Sequence, residues 1–126
     1  MWTDDWIGIP YQDLGRGPDS YDCLGLFVEL QRVQHDREIY DPLCSVGEAA
    51  RYEIAEQSKP LWREVSEAQA GDALLFRVRG RPLHIGYAVS ARLMLHTSAQ
   101  SGGSVLEDFT TSKWGANLEG IYRYVG

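Results

Sequence analysis

The sequence has few of the residues that cross-link small proteins or hold metals in them. Its 126 residues include two cysteines and three histidines, with no Cys-x-x-Cys or His-x-x-x-His pair. We therefore expect no metal and no organic cofactor. Cys23 and Cys44 would lie roughly 15 Å or more apart if the helix between them forms, so they are not expected to pair. A chain of this length, 44% hydrophobic, can build a core without such links.

Positive charge and long apolar runs are also scarce. The net charge is −6 and no stretch is rich in Lys and Arg, which argues against a nucleic-acid partner. No segment approaches the roughly 20 apolar residues of a membrane helix, so membrane insertion is not expected. The N-terminus lacks a basic region followed by an apolar one, as in a signal peptide. We expect one domain over residues 1–126.

The strongest local pattern predicts a helix over residues 21–35. Its apolar residues recur at the three-and-four spacing of one helix face, and Asp19, Ser20 and Asp22 are suitable capping residues. Cys23 then lies in the first turn, where the free amides and the helix dipole favour a thiolate. This makes Cys23 a candidate nucleophile. His35, at the polar end of the same helix, is predicted to lie on the surface.

The rest of the chain predicts a second helix followed by strands. Ser45 and Glu48 form a capping box ahead of a helix over residues 46–58. Alternating patterns and turn residues then predict strands over residues 73–79, 83–89, 93–98, 105–109 and 120–125, with a turn at Gly80-Arg81-Pro82. Helices followed by short strands indicate an α+β domain with an antiparallel sheet.

Two histidines fall at hairpin spacing in this sheet. If residues 83–98 turn near Ser90, His84 and His96 nearly face each other, whereas a slip of one residue would put them on opposite faces. Small neighbours beside His84 leave room for another element, for which the Cys23 helix is the candidate.

From the residues alone, two interpretations remain open. Cys23, His84 and His96 can act as nucleophile, base and orienting group. Alternatively, Cys23 is a small buried residue and both histidines are satisfied strand residues.

Motifs along nearly the whole chain resemble the NlpC family of papain-like cysteine peptidases, and more narrowly its branch encoded in phage tail and gene-transfer-agent clusters. The motifs occur in the family's order, and the Asp-Cys-x-Gly and His-x-Gly blocks together are fairly specific. They are Gly8-Ile9-Pro10-Tyr11, Gly15 to Leu26 with Asp22-Cys23-Leu24-Gly25, Gly71 to Phe76, Leu83-His84-Ile85-Gly86 and Leu95-His96.

The resemblance implies a papain-like fold in which the helix bearing the cysteine packs on an antiparallel sheet bearing the histidines. It implies that Cys23 is the nucleophile, His84 the general base and His96 the residue that orients His84. Cys23 and His84 are expected to react as a thiolate–imidazolium pair that forms an acyl-enzyme. Asp22 matches the residue that faces the free amine of the substrate. Tyr11 matches a tyrosine at the rim of the site, and its hydroxyl is a candidate oxyanion donor beside the Cys23 amide.

Members of the family cleave peptide stems of peptidoglycan. Wall enzymes usually have serine where this chain has Leu24, whereas the tail branch has a bulky residue there. The resemblance thus implies a wall hydrolase made in the bacterial cytoplasm and carried on a virion or gene-transfer-agent tail, with peptidoglycan stems and tail-tip or hub proteins as partners. The alternatives are a structural tail-tip protein with a vestigial or plugged site, and an amidase or acyltransferase on the same fold.

A group of arginines and the four tryptophans are predicted to have structural rather than substrate-binding roles. Arg77, Arg79 and Arg81 are predicted to form a solvated edge rather than a carboxylate site. The four tryptophans are predicted to serve in packing rather than as a sugar platform; they are Trp2, Trp6, Trp62 and Trp114.

Overall fold

The computed structural model describes residues 1–39, 61–78 and 81–126. A 3-10 helix at Trp2–Trp6 precedes the main helix α1 at Cys23–His35, and a short helix α2 lies at Ser112–Gly115. The strands are β1 (Trp62–Val65), β2 (Ala73–Val78), β3 (Arg81–Ala88), β4 (Leu93–Thr97), β5 (Ser104–Asp108) and β6 (Leu118–Tyr124). The helix predicted over residues 46–58, Cys44 and Arg79 lie outside the described residues.

The six strands form one antiparallel sheet in the order β1-β6-β2-β3-β4-β5. This confirms the predicted α+β class. Arg81 and Pro82 were expected in a turn but belong to β3, where they pair with Val78 and Arg77 of β2. The register shifts between Phe76 and Arg77, and this irregularity accommodates a proline that cannot donate a hydrogen bond to the ladder.

Helix α1 starts where Asp22 caps it and ends at Asp36, which adopts the left-handed conformation. Its buried face packs on one side of the sheet, and each buried leucine contributes about 1.5–3 kcal/mol through removal from water. We call this core the helix-side cluster; its buried members are Tyr21, Leu24, Leu26, Phe27, Leu30, Ala73, Ile85, Tyr87 and Leu95.

A second core lies on the other face of the sheet. We call it the far-side cluster, and its buried members are Ala68, Leu74, Phe76, Ala88, Met94, Phe109 and Ile121, with Trp114 of α2 packed against them. The rings of His84 and His96 contact Trp114. The expectation that α1 covers the small residues beside His84 is therefore wrong: the Met94 side chain lies over Gly86, and Trp114 covers the histidines.

His35 also departs from its prediction. It is half-buried, with Nε2 lying 2.6 Å from the Tyr87 hydroxyl. The two rings pack together with centroids 5.8 Å apart, because the last turn of α1 lies over the strand that carries Tyr87. His35 thus joins the end of α1 to the sheet. Within the described residues, no helix has the length and apolar character needed to cross a membrane.

Candidate active site

Cys23 is the first residue of α1 and retains partial exposure to solvent. Its sulfur accepts a hydrogen bond from the backbone amide of Ile85. Strands β3 and β4 pair at Tyr87–Leu95 and Ala88–Met94, and the Ile85 amide lies beyond those pairs. The structure therefore places the thiol beside the backbone of β3, one residue from His84.

The ionisation of Cys23 differs from the sequence-based expectation. Burial raises the pKa of the Cys23 thiol to about 11, and the negative charge of Asp22 adds to this effect. The backbone amides of Ile85, Leu24 and Cys23 itself oppose the rise by stabilising the thiolate, but they do not outweigh burial. The helix start was expected to hold a thiolate, and this is wrong for the resting site. Removing the thiolate from water destabilises it by more than the nearby amides stabilise it.

The two histidines meet as predicted. His84 Nε2 lies 2.8 Å from His96 Nδ1, and both side chains are buried. Continuing the β3–β4 register places His96 opposite Gly86, so His84 and His96 are diagonal neighbours on one face of the sheet rather than directly opposed. The rings are nearly perpendicular, with centroids 5.0 Å apart.

Beyond His96 the hydrogen bonds continue to two residues that sequence reasoning missed. His96 Nε2 lies 2.9 Å from Glu107 Oε1, and the indole N–H of Trp114 donates to Glu107 Oε2 over 3.1 Å. Glu107 lies opposite Met94 in the β4–β5 register, diagonal to His96. The alternation of β5 signals that Glu107 shares a face with Val105, but only the register between β4 and β5 connects it with His96.

The charges of this group follow from its burial. Burial lowers the pKa of His84 to about 3, and the neighbouring His96 lowers it further than Glu107 raises it. Burial likewise lowers the pKa of His96, despite the hydrogen bond to Glu107. Burial alone would raise the pKa of Glu107, but its hydrogen bonds with His96 and Trp114 leave that pKa below its ordinary value. Near neutral pH the site therefore holds two neutral imidazoles and one carboxylate.

Asp22 has two partners among the residues that the structure describes. Its Oδ1 accepts a hydrogen bond from the Gly25 amide over 2.7 Å, which caps α1. The same oxygen lies 2.7 Å from Nη1 of Arg16, in a largely buried ion pair. The carboxylate adjoins Cys23, where the resemblance puts it, but its charge is balanced by Arg16.

Tyr11 lies near Cys23 and Asp22, whose charges contribute to its raised pKa after burial and the hydrogen bond with Asp13. Its hydroxyl donates to Asp13 Oδ1 over 2.8 Å. A phenol has one proton to donate, so in this arrangement Tyr11 is not an oxyanion donor. The Cys23 amide, at the first position of α1, remains the candidate.

Other predicted features lie away from this group. Arg77 is exposed to solvent as predicted, but β2 is an inner strand of the sheet rather than an edge. Within residues 1–39, 61–78 and 81–126, no cluster of three or more His, Cys, Asp or Glu residues is arranged to hold a metal ion.

Comparison with known proteins identifies the family of this chain. Among solved structures, the chain is similar to an NLP/P60 family lipoprotein-like protein from Staphylococcus aureus, with a TM-score of 0.70 and 22% identity over 97% of this chain and 38% of that one. It is similar to an NlpC/P60 family protein from Bacillus cereus, with a TM-score of 0.73 and 20% identity over 98% and 38%. A third is the NlpC/p60 domain of the peptidoglycan hydrolase SagA, with a TM-score of 0.67 and 21% identity over 96% and 92%.

These identities establish a shared fold, and the chain spans less than half the length of the first two proteins. No curated protein matches the sequence. The pattern of the NlpC/P60 family, however, matches residues 8–123, which include Cys23, both histidines and Glu107. The chain belongs to the NlpC/P60 family.

Proposed function

We propose that this protein is a cysteine endopeptidase that cleaves peptide stems of peptidoglycan and is carried on a phage-like tail tip. The observation that carries the enzymatic part is the linked arrangement of thiol and histidines. The Cys23 sulfur is hydrogen-bonded by the amide next to His84, and His84 is hydrogen-bonded to His96. A nucleophile, a base and a group that orients the base are the parts that covalent acyl transfer requires.

The expected thiolate–imidazolium pair is not the resting state in the proposed reaction, which begins from a neutral thiol and a neutral imidazole. As the Cys23 sulfur attacks the amide carbonyl of the stem, its proton passes to His84, so charge develops only while the C–S bond forms. The Cys23 backbone amide faces the oxyanion. The C–N bond then breaks as His84 returns the proton to the leaving amine. Water, deprotonated by His84, hydrolyses the thioester, and the thiol regains its proton.

Recognition of the stem is proposed to involve Tyr11 and Asp22. Asp22 faces the free amine of the stem in the scheme that the resemblance implies. The ion pair with Arg16 balances the charge that would attract this amine, which weakens the electrostatic part of its recognition. We therefore propose that Asp22 contributes to substrate binding mainly by holding the start of α1 in place.

A tail-tip protein without activity is the second candidate. The observation that favours it is the burial of His84, which is 6% exposed, together with a thiol that is neutral at physiological pH. A site that stays buried in this way would have no catalytic activity. Attachment to tail-tip or hub proteins is common to both candidates and is supported by the resemblance of the Gly8–Tyr11 and Asp22–Gly25 motifs, including Leu24, to the tail branch.

The experiment that tests the activity is digestion of purified Gram-negative and Gram-positive peptidoglycan by the protein and by its Cys23→Ala variant. Released fragments are identified by mass spectrometry. We expect stem-peptide fragments from the parent protein and none from the variant. Fragments that accumulate equally with both would contradict a thiol mechanism. Absence of fragments from both walls, with a folded protein, would favour the inactive tail-tip component.

Tail association has its own test. We expect the protein to be recovered in purified phage-like particles from its source bacterium and to cross-link there to tail-tip proteins. A protein that is present in the cells but absent from such particles would contradict this part of the proposal and leave the peptidase unaffected.

A further inference from the structure

The hydrogen-bonded group extends two residues beyond the expected set of Cys23, His84 and His96. Trp114 Nε1 donates to Glu107 Oε2, Glu107 Oε1 faces His96 Nε2, and His96 Nδ1 faces His84 Nε2, with distances of 3.1, 2.9 and 2.8 Å. One end of this series is the Trp114 indole and the other is His84, which precedes Ile85, the residue whose amide contacts the Cys23 sulfur. The order of its donors and acceptors can be derived from elementary chemistry.

The direction of each hydrogen bond is fixed from the Trp114 end. An indole N–H can only donate and an ionised carboxylate can only accept, so Glu107 accepts at both oxygens. His96 must then donate from Nε2. Because a neutral imidazole carries a single N–H, His96 Nδ1 is an acceptor. His84 therefore donates from Nε2, and its Nδ1 is left without a proton.

We propose that Glu107 and Trp114 are positioning residues that set the tautomers of both histidines, so that His84 Nδ1 is free to accept the proton of Cys23. The identity of the proton donor rests on the proposed function, whereas the tautomers depend only on the hydrogen bonds. Glu107 is the acceptor for the N–H of His96 Nε2. Trp114 donates to the other oxygen of the same carboxylate.

Trp114 also packs against the rings of both His84 and His96 and fixes their orientation. Its indole stacks on His84 with centroids 5.2 Å apart and an interplanar angle of 25°. It meets the ring of His96 edge-on, at 5.0 Å and 83°. Lys113 Nζ lies 5.1 Å from the centroid of the Trp114 ring, and its positive charge lowers the pKa of Glu107. The Lys113 cation and the Trp114 indole thus act together to keep Glu107 ionised and an acceptor.

Substitution of Glu107 by glutamine gives a specific outcome. The amide has one accepting oxygen and one donating nitrogen. The Trp114 N–H donates to the amide oxygen, so the amide nitrogen faces His96 Nε2. Because this nitrogen donates, His96 Nε2 must accept. His96 then carries its proton on Nδ1 and donates to His84 Nε2, which moves the His84 proton to Nδ1. Adding Trp114→Phe removes the competing donor and lets the amide oxygen of the introduced glutamine face His96 again.

The test is nitrogen-15 NMR of the histidine side chains, which distinguishes protonated from unprotonated ring nitrogens. In the parent protein we expect Nε2–H on both His84 and His96. In Glu107→Gln we expect Nδ1–H on both, and in the double variant with Trp114→Phe a return to Nε2–H. Glu64→Gln, an exposed acid-to-amide change on β1, is the matched control. A parent protein with Nδ1–H on His84 would overturn the proposal, and this measurement requires no variant to fold.

Kinetics provide the second measurement. We expect Glu107→Gln to lower kcat by roughly 10²–10⁴-fold, as expected for a base held in the wrong tautomer, and the double variant to recover part of that loss. A double variant whose kcat is no higher than that of Glu107→Gln alone would contradict the tautomer argument. If the parent protein shows the expected tautomers but cleaves no peptidoglycan, the proposed function is overturned while the positioning role of Glu107 and Trp114 is supported.

Discussion

The backbone amide of Ile85 donates a hydrogen bond to the sulfur of Cys23. This contact joins the start of α1 to β3 one residue from His84. Strand β3 can make it because the Ile85 amide lies beyond the two residue pairs that join β3 to β4. The thiol is thus placed by a main-chain group, which side-chain substitutions at position 85 would leave in position.

The first prediction concerns His96. Replacement by alanine leaves the His84 Nε2–H buried without an acceptor, so we expect kcat to fall by roughly 10²–10⁴-fold. His96→Asn supplies an amide oxygen for the same donor and should retain more activity than the alanine variant. Steady-state kinetics on a stem peptide check this. A change in KM alone, with kcat preserved, would be inconsistent with an orienting role.

The second prediction concerns acid stability. Burial holds the pKa of His84 at about 3 in the folded state, against an ordinary value of 6.5. Between these pH values the unfolded state binds the proton more readily, so the stability contributed by neutral His84 is present above pH 6.5 and lost as the pH falls towards 3. The total is on the order of 5 kcal/mol.

Urea denaturation at pH 7 and pH 4 of the parent protein and His84→Asn measures this loss. The asparagine side chain does not titrate in this range, so we expect its free energy of unfolding to fall less steeply with acid. Equal pH dependence in both proteins would show that His84 is not the group responsible.

The third prediction concerns the charge beside the thiol. Burial is the main cause of the raised pKa of Cys23, and the Asp22 carboxylate adds to it. Asp22→Asn removes this charge and leaves Arg16 positive, so the pKa of Cys23 should fall and more thiolate should form at pH 8. We expect faster alkylation by iodoacetamide at that pH, with Asp19→Asn as an exposed control. A slower reaction than in the parent protein would contradict the electrostatic argument.

The fourth prediction concerns Thr97. Its Oγ1 is buried and makes no hydrogen bond among the described residues. Thr97→Val keeps the shape of the side chain and removes the unpaired hydroxyl, so the free energy of unfolding should rise by about 1 kcal/mol. Thermal denaturation checks the change, with Ser98→Ala on the adjacent, less buried residue for comparison. A loss of stability would indicate that Oγ1 has a partner.

The fold was largely predictable because its main elements have strong periodicity. The spacing of apolar residues identified α1, and alternation identified β2, β3 and β4. Strand β1 and helix α2 were not predicted, since four residues are too few to show a period. The single-domain extent over residues 1–126 stays a prediction.

The site was predictable only in part, for a physical reason. His84 and His96 belong to one hairpin, so local spacing predicts their meeting. Glu107 joins them through the pairing of β4 with β5, and Trp114 through the position of α2, and neither is encoded in local spacing. The neutral state of Cys23 likewise depends on burial by residues distant in the chain, which outweighs the local effect of the helix start.

The separation of the two cores has a consequence for how this protein can change over time or by engineering. The sulfur rests on the helix-side cluster, whereas the two imidazoles rest on the far-side cluster with Trp114. Substitutions in one cluster can therefore adjust one reacting partner while the other keeps its surroundings. Libraries that randomise the two clusters separately would therefore vary the surroundings of the nucleophile and those of the base almost independently.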